Sequence, residues 1–336
     1  MHSDLPNWPL YRTGASAERN LILVHTKGFQ SISDFEAIRD FVVQSSPDIE
    51  VFLVDNEQSS SGLRRKAARR PTLLFSPVAL MNFRPERGKI YEGRAMAKMK
   101  QVERLQAAGL PVPKTALLAP GTKLDSREWG EYVVLKPSLP AFQSKGQAVI
   151  LMCTEDVRFI PPEDYPAEHP GRYSPMIVQS YVHAEPALSN IRVLTMFGEP
   201  LYALQSSSKL KSVELTPANV RQNMLAVAHQ SIPPAQKSVR FVYDEAVLVL
   251  ARAAYAACPE AALQGCDILR DSRTGQLYIL EFNPGGNTWH FSSARAQVLR
   301  EVVAPEDRLG QKRKSQFDAF RTAARVLAEH TRVEAL

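Results

Sequence analysis

The chain has 336 residues, a length typical of roughly two or three domains, and its 44% hydrophobic and 23% charged residues exclude intrinsic disorder. The formal net charge is +6, and the segment 61–104 alone carries twelve Lys or Arg against three Glu, so the remainder sums to −3. A general nucleic-acid coat would spread its cations over several faces, so this local excess predicts one anionic partner, such as a phosphate-bearing ligand, and disfavours nucleic acid.

The N-terminal region predicts a small α/β unit. Two β-rich runs, at 20–26 and 51–56, flank a helix that begins at a capping box from Ser33 to Glu36. Thr72–Ser76 supplies a third strand. Apolar strands with an intervening helix are typical of a parallel sheet that is covered on both faces.

The rest of the chain predicts a mixture of helices and hairpins. A helix over 94–108 has an apolar face and ends at Gly109, with Pro111 and Pro113 beyond it. Strands follow at 132–137, 147–153 and 176–182. Two hairpins pair 191–196 with 200–205 and 266–270 with 276–281, and helices are expected at 244–258 and 315–329.

Several common site and location signals are absent from the sequence. It contains no G-x-G-x-x-G, no G-x-x-x-x-G-K-[ST], no H-E-x-x-H and no G-x-S-x-G. Cys153, Cys258 and Cys266 form no C-x-x-C and are too few for a disulfide framework. Neither a membrane helix nor a signal peptide is predicted, so we expect a cytoplasmic protein with no membrane partner.

The second hairpin carries the most specific chemical pattern, with Asp267 on its first strand and Glu281 and Asn283 on its second. Side chains alternate along a strand, so Glu281 and Asn283 share a face, and the partner strand can set Asp267 beside them. Three oxygen ligands suit a hard divalent cation, above all Mg²⁺ with nucleotide phosphates. A solvated hairpin edge is the alternative, but the apolar neighbours of these residues argue against it.

Segments in a single order then resemble the ATP-grasp superfamily. Lys98 in AKMKQVERLQAAGLPVPKT and Lys136 in YVVLKPS are similar to the two lysines that reach the nucleotide phosphates in that family. The segment VQSYVHAEP resembles the hinge strand whose backbone pairs with adenine. The resemblance places Glu185 near the ribose and implies the following residues at the adenine edge: Gln179, Ser180, Tyr181 and Val182.

Three later segments extend the resemblance toward the reacting phosphate. SNIRVLTMFGEPLYAL resembles the D-x-R-V segment and its hairpin, which implies Arg192 at the transferring phosphate. ANVRQN resembles the F-R-x-N stretch of the ribosomal-protein glutamate ligases, which implies Asn223 near the metal and phosphates. GCDILRDSRTGQLYILEFNPGG resembles the metal hairpin and matches Asp267, Glu281 and Asn283 as metal ligands.

The chain also departs from the family pattern. The loop after the second lysine reads SLPAFQSKGQAV, with a single glycine, so Ser144 and Lys145 are expected to cover the phosphates where relatives have a glycine-rich loop. Asn190 stands where several relatives carry an acid, and Ser180 replaces a hinge acid. The nucleotide preference is therefore left open.

The resemblance implies an α/β fold of the α+β ATP-grasp type. Its expected parts are an N-terminal α/β pre-ATP-grasp domain at 1–92, a central lysine-bearing subdomain at 93–183 and a C-terminal subdomain at 184–336 with the metal hairpin. The implied cofactors are ATP and two Mg²⁺ ions, with Mn²⁺ as a substitute. ATP would lie between the two subdomains, as in the relatives of D-alanine–D-alanine ligase and glutathione synthetase.

The implied activity is a ligase that activates a carboxylate as an acyl phosphate and joins it to an amine of an amino acid or small peptide. Two alternatives stay open: phosphotransfer to a hydroxyl, and a non-catalytic nucleotide- or nucleic-acid-binding module. Substrate identity and homodimer formation are also left open, and the basic run from Arg64 to Arg70 is unassigned. Candidate substrate contacts follow the metal hairpin, with a structural role as the alternative for His290: Gly285, Gly286, Asn287, His290 and Arg295.

Overall fold

The computed structural model describes residues 17–58, 61–139, 148–223, 233–285, 288–293, 296 and 308–336, and these contain three β-sheets. The first sheet contains β1 (Arg19–His25), β2 (Ile49–Asp55), β3 (Thr72–Ser76) and β4 (Lys89–Glu92), and its chain also forms helices α1 (Ile32–Ser45) and α2 (Ser61–Ala67). The strands are parallel, as the sequence predicts, in the order β2-β1-β3-β4.

Apolar residues on both faces explain why β1 is buried throughout. Leu21 and Leu23 pack with Phe35 of α1, whereas Ile22 and Val24 pack on the opposite face with Ala67 of α2. Helix α1 begins earlier than the capping-box pattern predicts, because the side chain of Ser31 accepts a hydrogen bond from the N–H of Ser33 and serves as the N-cap.

The second sheet is antiparallel and lies in the central part of the chain. It contains β5 (Thr115–Leu117), β6 (Tyr132–Pro137), β7 (Ile150–Cys153) and β8 (Met176–Ser180), in the order β5-β8-β6-β7. In the sequence, helix α3 (Lys98–Ala107) precedes this sheet, and α4 (Ser126–Trp129) lies between β5 and β6. Helix α3 begins four residues later than predicted, since Ala97 has a non-helical backbone (φ −58°, ψ 139°) and Lys98 N–H bonds to Ser138 C=O.

The third sheet contains β9 (Ser189–Met196), β10 (Glu199–Ser208), β11 (Lys237–Phe241), β12 (Leu263–Arg270) and β13 (Leu277–Pro284). It is also antiparallel and has the order β11-β10-β9-β12-β13. Helices α5 (Pro217–Arg221), α6 (Glu245–Ala257), α7 (Arg308–Gln316) and α8 (Ala319–Glu334) accompany it. Both predicted hairpins are present, and each is longer than predicted.

Each face of the third sheet has a different neighbour. Val193, Cys266 and Phe282 on one face share a core with α6. On the other face, Leu194 and Tyr202 join Phe320 of α8 in a core that also contains α1 and β1, so α8 ties the third sheet to the first. The predicted helix at 315–329 is divided, because Asp318 adopts a left-handed backbone with φ +45° between α7 and α8.

None of the helices in the described ranges combines the length and the apolar character needed to cross a bilayer.

Candidate functional site

Strand register places the predicted ligands on one face of the third sheet. Arg192 on β9 pairs with Asp267 on β12, and Asp267 in turn pairs with Glu281 on β13. Directly opposed residues of neighbouring strands point to the same face. Asn283 lies two residues beyond Glu281, so strand alternation brings it to that face as well.

Asp267 is the most heavily hydrogen-bonded residue of this face. Its carboxylate accepts from Arg192 Nε at 2.8 Å and Arg192 Nη2 at 2.6 Å, and from the Nδ2 atoms of Asn190 and Asn283, each at 3.0 Å. Burial acts to lower the pKa of Arg192, but the adjacent Asp267 carboxylate outweighs it and raises that pKa above its ordinary value. Arg192 is therefore a permanent cation held in place by a buried carboxylate.

Glu281 receives a lysine from outside its own sheet. Lys98, the first residue of α3, places its Nζ 2.6 Å from Glu281 Oε2. Burial acts to raise the pKa of Glu281, but the positive charges of Lys98 and Lys136 outweigh burial and lower it below the ordinary value. The carboxylate is thus ionised, as a metal ligand must be.

Lys136 enters the same electrostatic environment from the second sheet. It lies on β6, is 8% exposed and donates to Gln179 Oε1 at 2.9 Å. Burial lowers the pKa of Lys136 to about 8; the charge of Lys98 adds to this effect, while Glu281 and Asp267 oppose it. Lys98 of α3 and Arg192 of β9 therefore pair with the two carboxylates, and Lys136 of β6 lies near enough for both carboxylates to affect its pKa.

The predicted hinge segment has part of its hydrogen-bonding capacity in use. The N–H of Ser180 bonds to Lys114 C=O at 2.9 Å, and the N–H of Tyr181 bonds to Tyr132 C=O at 3.1 Å. The Gln179 side chain is committed to Lys136 and to Thr115 Oγ1. The N–H groups of Ser180 and Tyr181 and the side chain of Gln179 are therefore already hydrogen-bonded within the protein.

Glu185 lies at the far end of the hinge and organises two aromatic side chains. Tyr181 Oη donates to Glu185 Oε1 at 3.2 Å, and His183 Nδ1 lies 3.5 Å from Glu185 Oε2. Burial and the neighbouring Glu185 raise the pKa of Tyr181. The segment also contacts the β12–β13 hairpin, because His183 N–H donates to Asp271 in its turn at 3.2 Å.

Asn223 does not join this cluster. It is exposed after α5, which packs through Val220 against Leu151 of the second sheet, and Arg221 pairs with Glu155 and Asp156. Across the ranges that the structure covers, no hydrogen bond connects the Asn223 side chain to the carboxylates of the third sheet.

The candidate substrate contacts divide into two groups. Gly285 immediately follows β13, with φ +109°. The His290 ring is 6% exposed and stacks on Tyr202 with centroids 6.2 Å apart, which supports its structural role. The other candidate substrate contacts, Gly286, Asn287 and Arg295, lie outside the described residues, as do Ser144 and Lys145, which were expected to cover the phosphates.

Most of the basic segment lies apart from the site. Lys66 and Arg70 both pair with Glu50 on β2, and Arg64 donates to the carbonyl of Asn82. Of that segment, Lys98 is the residue that contacts the third-sheet carboxylates in the described ranges. The local charge excess therefore included one cation of the site, Lys98, but not the other two, Lys136 and Arg192.

Asn190 contacts Asp267 although the sequence did not predict it as a site residue. Its Nδ2 donates to Asp267, while its Oδ1 is buried and has no hydrogen-bond partner among the described residues. Strand alternation supplies a signal, because Asn190 and Arg192 lie two residues apart on β9 and therefore share a face.

No protein-family model and no curated protein matches this sequence. The chain is similar to the solved structure of D-cycloserine synthetase DcsG, at 17% identity and TM-score 0.47 over 92% of this chain and 99% of that one. It is also similar to D-alanine–D-alanine ligase from Bacillus anthracis complexed with ATP, at 12% identity and TM-score 0.43 over 93% of this chain and 99% of that one. A third similar structure is macrocyclase MdnC bound with precursor peptide MdnA from Microcystis aeruginosa, at 10% identity and TM-score 0.47 over 92% of this chain and 99% of that one.

Proposed function

We propose that the chain is an ATP-grasp ligase that uses ATP and Mg²⁺ to join a carboxylate to an amine. One observation carries the proposal: Lys98, Lys136 and Arg192 converge from separate elements on the carboxylates Asp267 and Glu281. Clustered cations suit a polyphosphate, and ionised carboxylates among them suit its metal ions. A surface that bound only an anion would gain nothing from the two carboxylates.

The donor set fits Mg²⁺. Asp267 and Glu281 supply two carboxylates and Asn283 an amide oxygen on one sheet face, which are the hard ligands that this ion prefers. No group of three or more His, Cys, Asp or Glu side chains that could hold a metal ion occurs in the described ranges, and the third donor of the proposed site is an amide. We propose two ions, one held by Asp267 and Glu281 and the other by Glu281 and Asn283. When bound, they would neutralise phosphate charge.

The cations are positioned to bind and orient the phosphates of ATP. Lys98, Lys136 and Arg192 would offset negative charge on the γ-phosphoryl group as it moves to the substrate. A carboxylate oxygen bonds to the γ-phosphorus while the bond to the β,γ-bridging oxygen breaks, which releases ADP. The amine nitrogen then attacks the acyl phosphate carbon, phosphate leaves, and the amine proton passes to solvent.

The proposal is tested by ADP release with ATP and Mg²⁺ across pools of carboxylates and amines, followed by mass spectrometry of the product. Amide formation with free phosphate supports ligation. Phosphate retained on an alcohol would show that the chain is a phosphotransferase. Tight ADP binding without turnover on any pool would show a non-catalytic nucleotide-binding module. Glu281→Gln should lose ADP release. Glu260→Gln is its matched control and should retain ADP release, because Glu260 is exposed and pairs with Arg104 outside the cluster.

A further inference from the structure

A buried glutamine of α3 lies against the strand that carries two of the proposed metal ligands. Gln101 is 5% exposed, and its Oε1 accepts the backbone N–H of Phe282 at 3.0 Å. Phe282 stands between Glu281 and Asn283 on β13. The Gln101 Nε2 donates to Met96 C=O at 3.0 Å, so both ends of the buried amide are hydrogen-bonded within the protein.

This contact lies on the free edge of the third sheet. β13 is an outer strand, so the N–H groups on its free side need partners from outside the sheet. Gln101 supplies one partner to Phe282, and Pro111 C=O, beyond the end of α3, supplies another to Ile279 N–H at 2.9 Å. Leu105 of α3 also shares a buried core with Phe282. The chain from α3 to Pro111 therefore covers the metal strand along its edge.

The same helical turn carries the lysine that pairs with the metal strand. Lys98 precedes Gln101 by three residues on α3, and helix positions three apart are neighbours on one face. The bond from Phe282 to Gln101 therefore sets Lys98 beside Glu281, with Lys98 Nζ 2.6 Å from Glu281 Oε2. Lys98 N–H also bonds to Ser138 C=O at 3.0 Å, so the start of α3 is held by both the second and the third sheet.

We infer that Gln101 is a positioning residue that fixes the Lys98–Glu281 pair and thereby sets how strongly metal and nucleotide binding are coupled. This inference rests on the proposed ligase function. Gln101 acts through the Phe282 backbone and α3 rather than by touching ATP or an ion. A metal ion that takes Glu281 must first break the pair, whereas a nucleotide that takes Lys98 has already broken it. A weaker pair therefore gives tighter metal binding in the free protein and a smaller effect of nucleotide on it.

The test compares Gln101→Met, which keeps a similar side-chain volume but lacks the amide, with Gln106→Met at an exposed position of the same helix. In calorimetry, Gln101→Met should bind Mn²⁺ about threefold more tightly than wild type without nucleotide, and equally tightly with saturating ADP. Gln106→Met should match the wild type in both titrations. A side chain with only a structural role would not give this result, because general loss of structure weakens Mn²⁺ binding in both titrations.

Hydrogen–deuterium exchange in the ligand-free protein checks the contact without any ligand. Exchange of the 278–283 amides should be about tenfold faster in Gln101→Met than in wild type and unchanged in Gln106→Met. Gln101→Asn is one methylene shorter, so its amide cannot reach Phe282 N–H and Met96 C=O together. It should shift the same readouts in the same direction, and it replaces Gln101→Met if that variant does not fold.

Two outcomes would overturn the inference. One is unchanged exchange at 278–283, and the other is a nucleotide-free Mn²⁺ affinity of Gln101→Met that equals or falls below that of wild type. Absence of ADP binding to the wild-type protein counts against the proposed function, whereas exchange and nucleotide-free Mn²⁺ binding still decide whether Gln101 positions the pair.

Discussion

Lys98 Nζ lies 2.6 Å from Glu281 Oε2, so a proposed phosphate-binding cation and a proposed metal-binding carboxylate neutralise each other. A nucleotide needs the lysine and a metal ion needs the carboxylate, and each ligand must break the pair. Binding of either one releases the group that the other requires. Metal and nucleotide are therefore expected to bind with positive coupling, which for binding sites is typically about 1–3 kcal/mol.

The first prediction follows from this pair. In wild-type protein, calorimetry should show Mn²⁺ binding at least about tenfold more tightly in the presence of ADP than in its absence. Lys98→Met should strengthen Mn²⁺ binding without nucleotide, because no ion pair must then break before Glu281 can bind the ion. The same variant should weaken ADP binding about tenfold. Lys100→Met, exposed on the same helix, is the control. Equal Mn²⁺ affinity with and without ADP in the wild type would contradict the coupling.

The second prediction concerns the four hydrogen bonds to Asp267. Asp267→Asn leaves the Arg192 guanidinium, whose side chain is 16% exposed, without a charge partner, and removing one member of a buried pair typically costs about 3–5 kcal/mol. ADP formation should also fall by about 10²–10³. Glu281→Gln should lose comparable activity with a smaller loss of stability, since Glu281 has one lysine partner and is partly exposed. Urea unfolding and ADP release measure the two effects. Equal stability of both variants would show that the Asp267–Arg192 pair stabilises the fold no more than the Glu281–Lys98 pair does.

The placement of the metal hairpin could be predicted because it depends on local rules. Alternation along a strand and direct pairing across a hairpin are enough to bring Asp267, Glu281 and Asn283 to one face. The ion pair between Arg192 and Asp267 could not be predicted in this way. It requires β9 to lie beside β12, and that neighbour relationship between residues 75 positions apart is a tertiary property.

Helix limits show a similar division between local and tertiary causes. The apolar spacing over 94–108 predicted α3, but the non-helical backbone of Ala97 and the bond from Lys98 N–H to Ser138 C=O delay its start. Placing Lys98 at the first position directs it toward Glu281. The left-handed backbone of Asp318 likewise divides a helix whose spacing gave no sign of a break.

The third prediction uses the depressed pKa of Lys136. Burial lowers this pKa to about 8 from the ordinary lysine value, so the ammonium is charged below pH 8 and becomes neutral as the pH rises through that value. Phosphate binding favours the charged form, and ADP affinity should fall about tenfold between pH 7 and pH 9. Lys136→Arg should bind ADP with a flatter pH profile, because arginine does not deprotonate in this range. Calorimetry at several pH values provides the measurement, and an identical slope in the variant would exclude Lys136 as the cause.

The same shift predicts the pH dependence of stability. The folded-state pKa of Lys136 is lower than the unfolded one, so between about pH 8 and pH 10 the unfolded chain binds more protons. The contribution of Lys136 to the free energy of unfolding therefore rises with pH across this window. Lys136→Met removes the buried charge and should be stabilised relative to wild type below pH 8, with the difference shrinking toward pH 10. Urea unfolding at matched pH values checks this; a constant difference would contradict it.

The fourth prediction concerns the contact between the N-terminal unit and the end of the metal strand. Gly285 has φ +109°, and an added Cβ would lie 2.4 Å from the carbonyl oxygen of Pro77, which follows β3. Gly285→Ala should therefore push the two elements apart and destabilise the protein through both backbone strain and overpacking, the latter typically about 1–3 kcal/mol. Gly109→Ala separates the two effects, because Gly109 also has positive φ but nothing lies within 4 Å of its added Cβ. We expect Gly285→Ala to lose more stability in urea unfolding and to lower kcat/KM in ADP release, with Gly109→Ala retaining its activity; equal losses would show that this contact does not position β13.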